Sequence, residues 1–303
     1  GVSADTRQAV LTALDVLGYE RPERLRKRSA GLVGLVVPEL DNPIFPAFAQ
    51  VIESALAQSG YTPVLCTQTP GGSTEDQLTE MLVDRGVTGI VFVSGLHADT
   101  TADKDRYVKL AGRGVPFVMI NGYTDQVSAP FVSVDNRAAV RLAVTHLVEL
   151  GHERIGLAVG PPRFVPAQRM VEGFTLVRAQ AADLVEHSLF TVEGGQAAAN
   201  ALLDRGCTAI VCGSDLMAFG AIRAARRRGL SVPRDVSVVG FDDSPLIVFA
   251  DPPLTTLRQP VEAMGQAAVN ALLEEIGGTP APHAEFVFLP ELVVRGSTGA
   301  GPR

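Results

Sequence analysis

The sequence predicts an α/β protein built from two doubly wound, parallel-sheet lobes. Its 303 residues are about twice a typical domain length. Its strand-length apolar runs are continuous rather than alternating, as in sheets covered on both faces. Those runs alternate with helical patterns, in two successive series. With 46% hydrophobic and 19% charged residues, collagen, coiled coil and wholesale disorder are excluded.

Residues 3–17 read as a short helix. Ser3 can cap it, Asp5 suits its positive dipole end and Gly18 can close it. Val10, Leu14 and Leu17 share a face that has no partner within the segment. Residues 1–30 carry a net charge of +2 against −9 for the remainder, and 21–28 (RPERLRKR) hold five basic side chains and one acidic. Such a cluster is either a solvated arm or a segment that contacts phosphates and releases DNA counterions. The acidic body argues against general polyanion binding by the whole protein.

The first strand series is GLVGLVV (31–37), TPVLC (62–66), GIVFV (89–93), PFVMI (116–120) and FVSVD (131–135). Helical patterns intervene at about 44–59, 74–85 and 103–113. The second series is RIGLAV (154–159), SLFTV (188–192), TAIVC (208–212) and VSVVGF (236–241). Its helices fall near 136–150, 166–181, 195–205, 214–228 and 261–276, and GSTGAGPR reads as a loose tail.

In such sheets the chemistry belongs at the carboxyl ends of the strands. Asp41, Asn42 and Phe45 follow the first, and Thr67, Gln68, Ser94 and Asn121 the next three. Asp135 and Asn136 end the fifth. In the second lobe the ends carry Gly160, Ser214, Asp215, Phe241, Asp242 and Asp243. Each Asp, Asn or Ser there could simply cap the next helix. Their coincidence on both lobes instead predicts a cleft suited to a small polyhydroxylated ligand, with carboxylates and amides on hydroxyls and a ring over an apolar sugar face.

Enzyme signals are weak. Walker A, strand-linked G-x-G-x-x-G and G-x-S-x-G patterns are missing, so no catalytic role and no cofactor are expected. The five histidines are scattered, and His146 and His152 lack the spacing of two ligands on one helix face, so no metal is expected. Asp242 and Asp243 are neighbours on a strand and point to opposite faces, which argues against an acid/base pair. Cys207 and Cys212 read as core thiols. Three cysteines give no disulfide framework, no apolar run reaches the roughly 20 residues of a membrane helix, and the polar N-terminus is no signal segment. A cytoplasmic protein is expected.

VSADTRQAVLTALDVLGYERP resembles the last headpiece helix of lactose-repressor-type (LacI/GalR) transcription regulators. GLVGLVVPELDNPIFPAF resembles that family's first strand and following turn. VSVDNRAAVRLAVTHLVELGHERIGLAVGP, AIVCGSDLMAFGAIRAARRRGLSVPRDVSVVGFDD and PPLTTLRQPVEAMGQAAVNALL match further signatures in order. The resemblance implies a type I periplasmic-binding-protein-like body of two lobes with three crossovers, preceded by a headpiece-remnant helix. It implies residues 1–30 as headpiece remnant and basic hinge, 31–147 plus 259–287 as the N-terminal lobe, and 148–258 plus 288–303 as the C-terminal lobe.

It also implies a homodimeric regulator, expected to be a repressor, that binds operator DNA and a small effector, expected to be a carbohydrate. Cleft positions carry over to Phe45, Asp135, Phe190, Ser214, Asp242 and Gln259, with Asn42 beside them. Asp135 and Asp242 would hold ligand hydroxyls, Phe190 would stack on the ligand, and Gln259 sits where the chain crosses between lobes.

Three departures stand out. The family's helix-turn-helix would precede residues 3–17, so only the third headpiece helix and the connection are expected here. That connection is about four residues shorter than usual. The family's hinge helix wedges a Leu into the minor groove. Here Leu25, flanked by Arg24, Arg26, Lys27 and Arg28, is the candidate wedge, and with Arg21 these are the candidate DNA contacts; a plain basic tether is the alternative. Where many sugar-responsive members carry Arg, three residues before Gly173, this chain has Met170. Either Arg169 takes over or the effector is less polar. The rival readings are an extracytoplasmic sugar-binding protein of the same fold, a ligand-sensing fragment that has lost DNA binding, and a cleft enzyme acting on a sugar or nucleoside.

Overall fold

The computed structural model describes residues 3, 6, 8–10, 12, 13, 29–68, 71–245, 247–279 and 281–302. In chain order its strands and α-helices are β1 (Leu32–Val37), α1 (Ile44–Gln58), β2 (Thr62–Thr67), α2 (Glu75–Asp84), β3 (Gly89–Val93), α3 (Asp105–Gly112), β4 (Phe117–Ile120) and β5 (Phe131–Val134). Then follow α4 (Asn136–Glu149), β6 (Ile155–Val159), α5 (Val165–Val177), β7 (Val185–His187), α6 (Val192–Asp204), β8 (Ala209–Cys212), α7 (Asp215–Arg227) and β9 (Ser237–Asp242). The chain closes with β10 (Thr255–Arg258), α8 (Val261–Ile276), β11 (Glu285–Phe288) and β12 (Glu291–Val293).

One sheet runs β11-β5-β4-β3-β1-β2, the other β12-β10-β9-β8-β6-β7. Every pairing is parallel except β10 with β12. The continuous apolar runs follow from burial on both faces. Val33, Leu35 and Val37 share one buried core with Phe48, Ile52 and Leu56 of α1 and with Met264 and Leu272 of α8. Val36, Ile90 and Phe92 pack with Leu78 and Leu82 of α2 and with Tyr107 and Leu110 of α3. The chain crosses between sheets after β5, after β10 and between β11 and β12.

Several elements differ from the sequence expectation. The sequence places α4 with residues 31–147 in the first lobe, yet the helix packs on α5, β8, β10 and β12. The reason is that α8 already covers β3, β4 and β5. The crossing therefore falls at Asp135, not after residue 147. The strand expected at 188–192 is instead β7, at the sheet edge beside β6. Thr191 is the N-cap of α6, accepting from Gly194 N at 3.0 Å, so the preceding apolar residues form a turn. The short strands β10, β11 and β12 were missed.

At the N-terminus Thr6 N donates to Ser3 Oγ at 3.2 Å, as a cap requires, and residues 6, 8–10, 12 and 13 are helical. The segment 21–28, with Arg21, Arg24, Leu25, Arg26, Lys27 and Arg28, lies outside the described residues.

The C-terminal tail is not loose. Ser297 is fully buried; its Oγ donates to Val238 O at 2.6 Å and accepts from Thr255 N at 2.8 Å. Val238 N donates to Ser297 O at 2.9 Å and Gly301 N to Leu150 O at 2.7 Å. His152, also buried, presents Nε2 to Gly299 O at 3.1 Å and to Ser237 Oγ at 2.9 Å, and Nδ1 to Thr208 Oγ1 at 2.9 Å. A neutral ring protonated on Nε2 fits the carbonyl acceptor and leaves Nδ1 to accept from Thr208.

Ser297→Ala strands the Thr255 N–H and is expected to cost about 2 kcal/mol in urea unfolding. Burial depresses the His152 pKa below its ordinary 6.5. Below pH 6.5 the unfolded chain therefore binds the proton first. The stability given by the neutral ring is complete above 6.5 and is lost as pH falls through the depressed value. His152→Gln should flatten this acid-side loss in unfolding curves taken between pH 7.5 and 5.

Candidate functional site

The carboxyl ends of both sheets face one another across a cavity of about 280 Å³. The first lobe contributes Pro38, Glu39, Asn42 and Phe45 after β1, Ser94 and Ala98 after β3, and Asn121 after β4. The second contributes Asn136, Phe164, Met170, Phe190, Ser214, Phe241 and Asp242, and Gln259 enters from the crossover after β10.

Among the described residues only four non-glycines have a positive φ: Ser94 (46°), Asn121 (58°), Asp242 (122°) and Asp243 (60°). Three of them line the cavity and the fourth is adjacent. Strained backbone of this kind persists where surrounding structure fixes it, and it gathers at functional sites. At this site it turns each strand end so that a polar side chain enters the seam.

A hydrogen-bonded chain ties the lobes together across the cavity. Asn121 Nδ2 donates to Gln259 Oε1 at 3.1 Å, and Gln259 Nε2 donates to Asp242 Oδ1 at 2.7 Å. All three side chains are buried, and Asn121 Oδ1 has no partner within the protein. An orphan acceptor is costly unless a ligand or water supplies a donor.

Burial, reinforced by the nearby charge of Asp215, pushes Asp242 well above the ordinary carboxylate range. Asp215 is itself pushed up to about 6 by burial, against the donors that hold it: Ser244 N at 2.7 Å and Thr256 Oγ1 at 2.6 Å. It thereby anchors the loop that carries Asp242. Asp243 turns away from the cavity, to Arg258 and Arg295 at 2.6 Å each; it lies past the end of β9, so the positive φ of both residues, not strand alternation, parts the two carboxylates.

Of the eight residues expected at a cleft, Asn42, Phe45, Phe190, Ser214, Asp242 and Gln259 line the cavity. Asp135 does not; its carboxylate accepts from Ala138 N at 2.9 Å as the N-cap of α4, and the next residue, Asn136, takes the wall position. Arg169 does not reach the cavity either. Its guanidinium makes a two-pronged contact with Glu285, at 2.6 and 2.9 Å, and Met170 lines the wall.

Asn42 and Ser214 do both jobs, since Asn42 Oδ1 accepts from Ile44 N and Ser214 Oγ from Met217 N while both face the cavity. Ser94, Asn121, Asn136 and Phe241, at the strand ends where the sequence puts the chemistry, line it as well. Glu39 and Phe164 were missed, because each lies one or more residues into a turn.

Phe190 lies against Gly160, where an added Cβ would come within 2.0 Å of its ring, and 6.4 Å from Phe164 by ring centroids. The two rings form one apolar wall. Among the described residues no group of His, Cys, Asp and Glu could hold a metal ion. The free cysteines are buried, and burial pushes the Cys207 thiol up to about 11. Among the described residues no helix is long and apolar enough to cross a membrane.

Residues 144–298 match the family model of a periplasmic binding protein-like domain. Over 312 aligned positions the chain is 72% identical to the HTH-type transcriptional regulator reg1 of Streptomyces lividans, covering all of this chain and 90% of that protein. A solved complex of the transcriptional regulator CelR with cellobiose superposes with a TM-score of 0.78 at 33% identity, over 98% of this chain and 91% of that one. The lac repressor dimer, solved bound to operator and the anti-inducer ONPF, superposes with a TM-score of 0.76 at 25% identity, over 93% and 100% of the two chains.

Proposed function

The chain belongs to the LacI family of transcriptional regulators, and from that premise we propose that its effector is an uncharged mono- or disaccharide held in the seam between the lobes. The family role itself is that of a ligand-responsive, DNA-binding repressor.

The lining carries the reading. It offers carboxyl, amide and hydroxyl groups for hydroxyls, through Glu39, Asn42, Asn121, Asn136, Ser214, Asp242 and Gln259. It offers the rings of Phe45, Phe164, Phe190 and Phe241 for the apolar faces of a sugar. Among the described lining residues there is no Lys, Arg or His, so a phosphate or carboxylate would find no countercharge in a site that already holds two acids. The relative solved with cellobiose supports the same ligand class.

The protein acts in the cytoplasm as a homodimer on operator DNA. Its basic segment 21–28 contacts phosphates, and its half-sites are about one helical turn apart or a multiple of that. The effector acts by preferring one angle between the lobes, and so one spacing of the DNA-binding ends.

A thermal-shift panel of glucose, galactose, ribose, cellobiose, maltose, glucose 6-phosphate and gluconate tests the ligand class. A neutral sugar should raise the melting temperature and change operator affinity by about 5–150-fold in fluorescence anisotropy. Stronger stabilisation by the phosphate or the gluconate than by every neutral sugar overturns the proposal. Gly160→Ala should push the Phe190 ring off its seat and weaken sugar binding about tenfold, the worth of one stacking contact. The fold should be little affected, because the clash is with a ring that can swing.

A further inference from the structure

The two lobes are held against each other outside the cavity by a pair of ion pairs. Among the described residues, two salt bridges cross the seam. Asp99, in the turn after β3, pairs with Arg163, in the turn after β6, at 2.9 Å. Arg169 of α5 pairs with Glu285 of β11 through two parallel bonds, with both side chains about 85% buried. Thr100 adds its N and Oγ1 to Arg163 O, at 2.8 Å each. Lys104 fixes the turn that carries Asp99 by donating to Leu96 O at 2.6 Å and to Asp99 O.

None of the four charged residues lines the cavity, yet three of them adjoin a residue that does: Asp99 follows Ala98, Arg163 precedes Phe164 and Arg169 precedes Met170. Arg163 also stacks on the Phe164 ring, 4.7 Å from its centroid. The pairs lie at different places along the first sheet, one after the inner strand β3 and one on the edge strand β11. A rigid-body opening of the lobes parts α5 from β11 and the Asp99 turn from Arg163 together. The fork of Arg169 on Glu285 demands one relative placement of the lobes.

We propose that Asp99–Arg163 and Arg169–Glu285 form an electrostatic clamp that sets the closed inter-lobe angle and positions the cavity walls without touching the effector. This deepens the effector reading above and rests on it for its functional meaning. Clamp strength fixes how much of the unliganded protein is binding-competent, and apparent affinity scales with that fraction.

The measurement is an inter-lobe distance distribution by double electron–electron resonance. Spin labels are placed on the full chain at Lys109→Cys in the first lobe and Arg227→Cys in the second, both exposed, the native cysteines being buried. With no sugar present, the parent should show one dominant short distance. Glu285→Gln and Arg169→Gln should each add a longer population, and Arg169→Glu combined with Glu285→Arg should restore the short one. The single variants should weaken cellobiose or maltose binding about tenfold while leaving each lobe folded by circular dichroism.

An unchanged distribution in both single variants overturns the clamp. So does a parent that is already predominantly open without sugar. If the parent binds no neutral sugar, the effector reading fails, and the distance data still decide the clamp.

Discussion

Asp242→Ala is expected to weaken effector binding about 100-fold by isothermal calorimetry, using the neutral sugar that the thermal-shift panel identifies. The figure corresponds to about 2.7 kcal/mol, the scale on which a buried polar partner is lost. Two losses combine. The ligand hydroxyl loses its carboxyl partner, and Gln259 Nε2, now 2.7 Å from Asp242, is left without an acceptor. Freed, Gln259 loosens its hold on Asn121, whose Oδ1 already awaits a donor. One truncation thus disturbs a chain that spans both lobes. Asp242→Asn keeps an oxygen for Gln259 and should lose less, about tenfold. Equal affinity in wild type and the Ala variant would remove Asp242 from the binding surface and with it the reading of this cavity.

What the sequence disclosed and what it concealed have the same physical origin. Strands buried on both faces leave a nearly pure apolar signal, so β1, β3, β8 and β9 were legible. Their carboxyl ends were legible too, because the topology fixes which end carries chemistry. Elements decided by a partner were not legible. Helix α4 has an apolar stripe that would suit either sheet, and only the prior covering of β3–β5 by α8 sends it to the second.

Strands β10, β11 and β12 are short and formed by returning chain, and Phe286 and Val287 of β11 are exposed, so their pattern is weak. Arg169 and Met170 were separable only by knowing that Glu285 stands opposite Arg169, 116 residues away in sequence. Phe190 reads as a strand residue because it is apolar, and it becomes a wall residue because Gly160 leaves room for its ring. The tail GSTGAGPR is small and polar by composition, but its order comes from the buried Ser297 hydroxyl and from His152, which composition does not reveal.

Gly220→Ala is expected to destabilise the protein by about 3 kcal/mol, at the upper end of ordinary overpacking costs. The reason lies between α6 and α7. A Cβ at Gly220 would stand 2.0 Å from Val192 O and 2.5 Å from Gln196 N, and one at Gly195 would stand 2.2 Å from Met217 O. The obstacles are backbone atoms of a capped helix, so they cannot swing aside as the Phe190 ring can. The helices must separate instead, and each carries a cavity residue at its start: Phe190 just before the Thr191 cap of α6, and Ser214 as the cap of α7. Gly220→Ala should therefore lower effector affinity as well as the midpoint of urea unfolding, although Gly220 is remote from the ligand.

Gly112→Ala supplies the contrast. It closes α3 with no atom within 4 Å of the added methyl and without a positive φ. There the same substitution only reduces the freedom of the unfolded chain, and it should stabilise by about 0.5–1 kcal/mol. If Gly220→Ala matched Gly112→Ala in denaturation, the close approach of α6 and α7 could not be what holds the second lobe's wall in place.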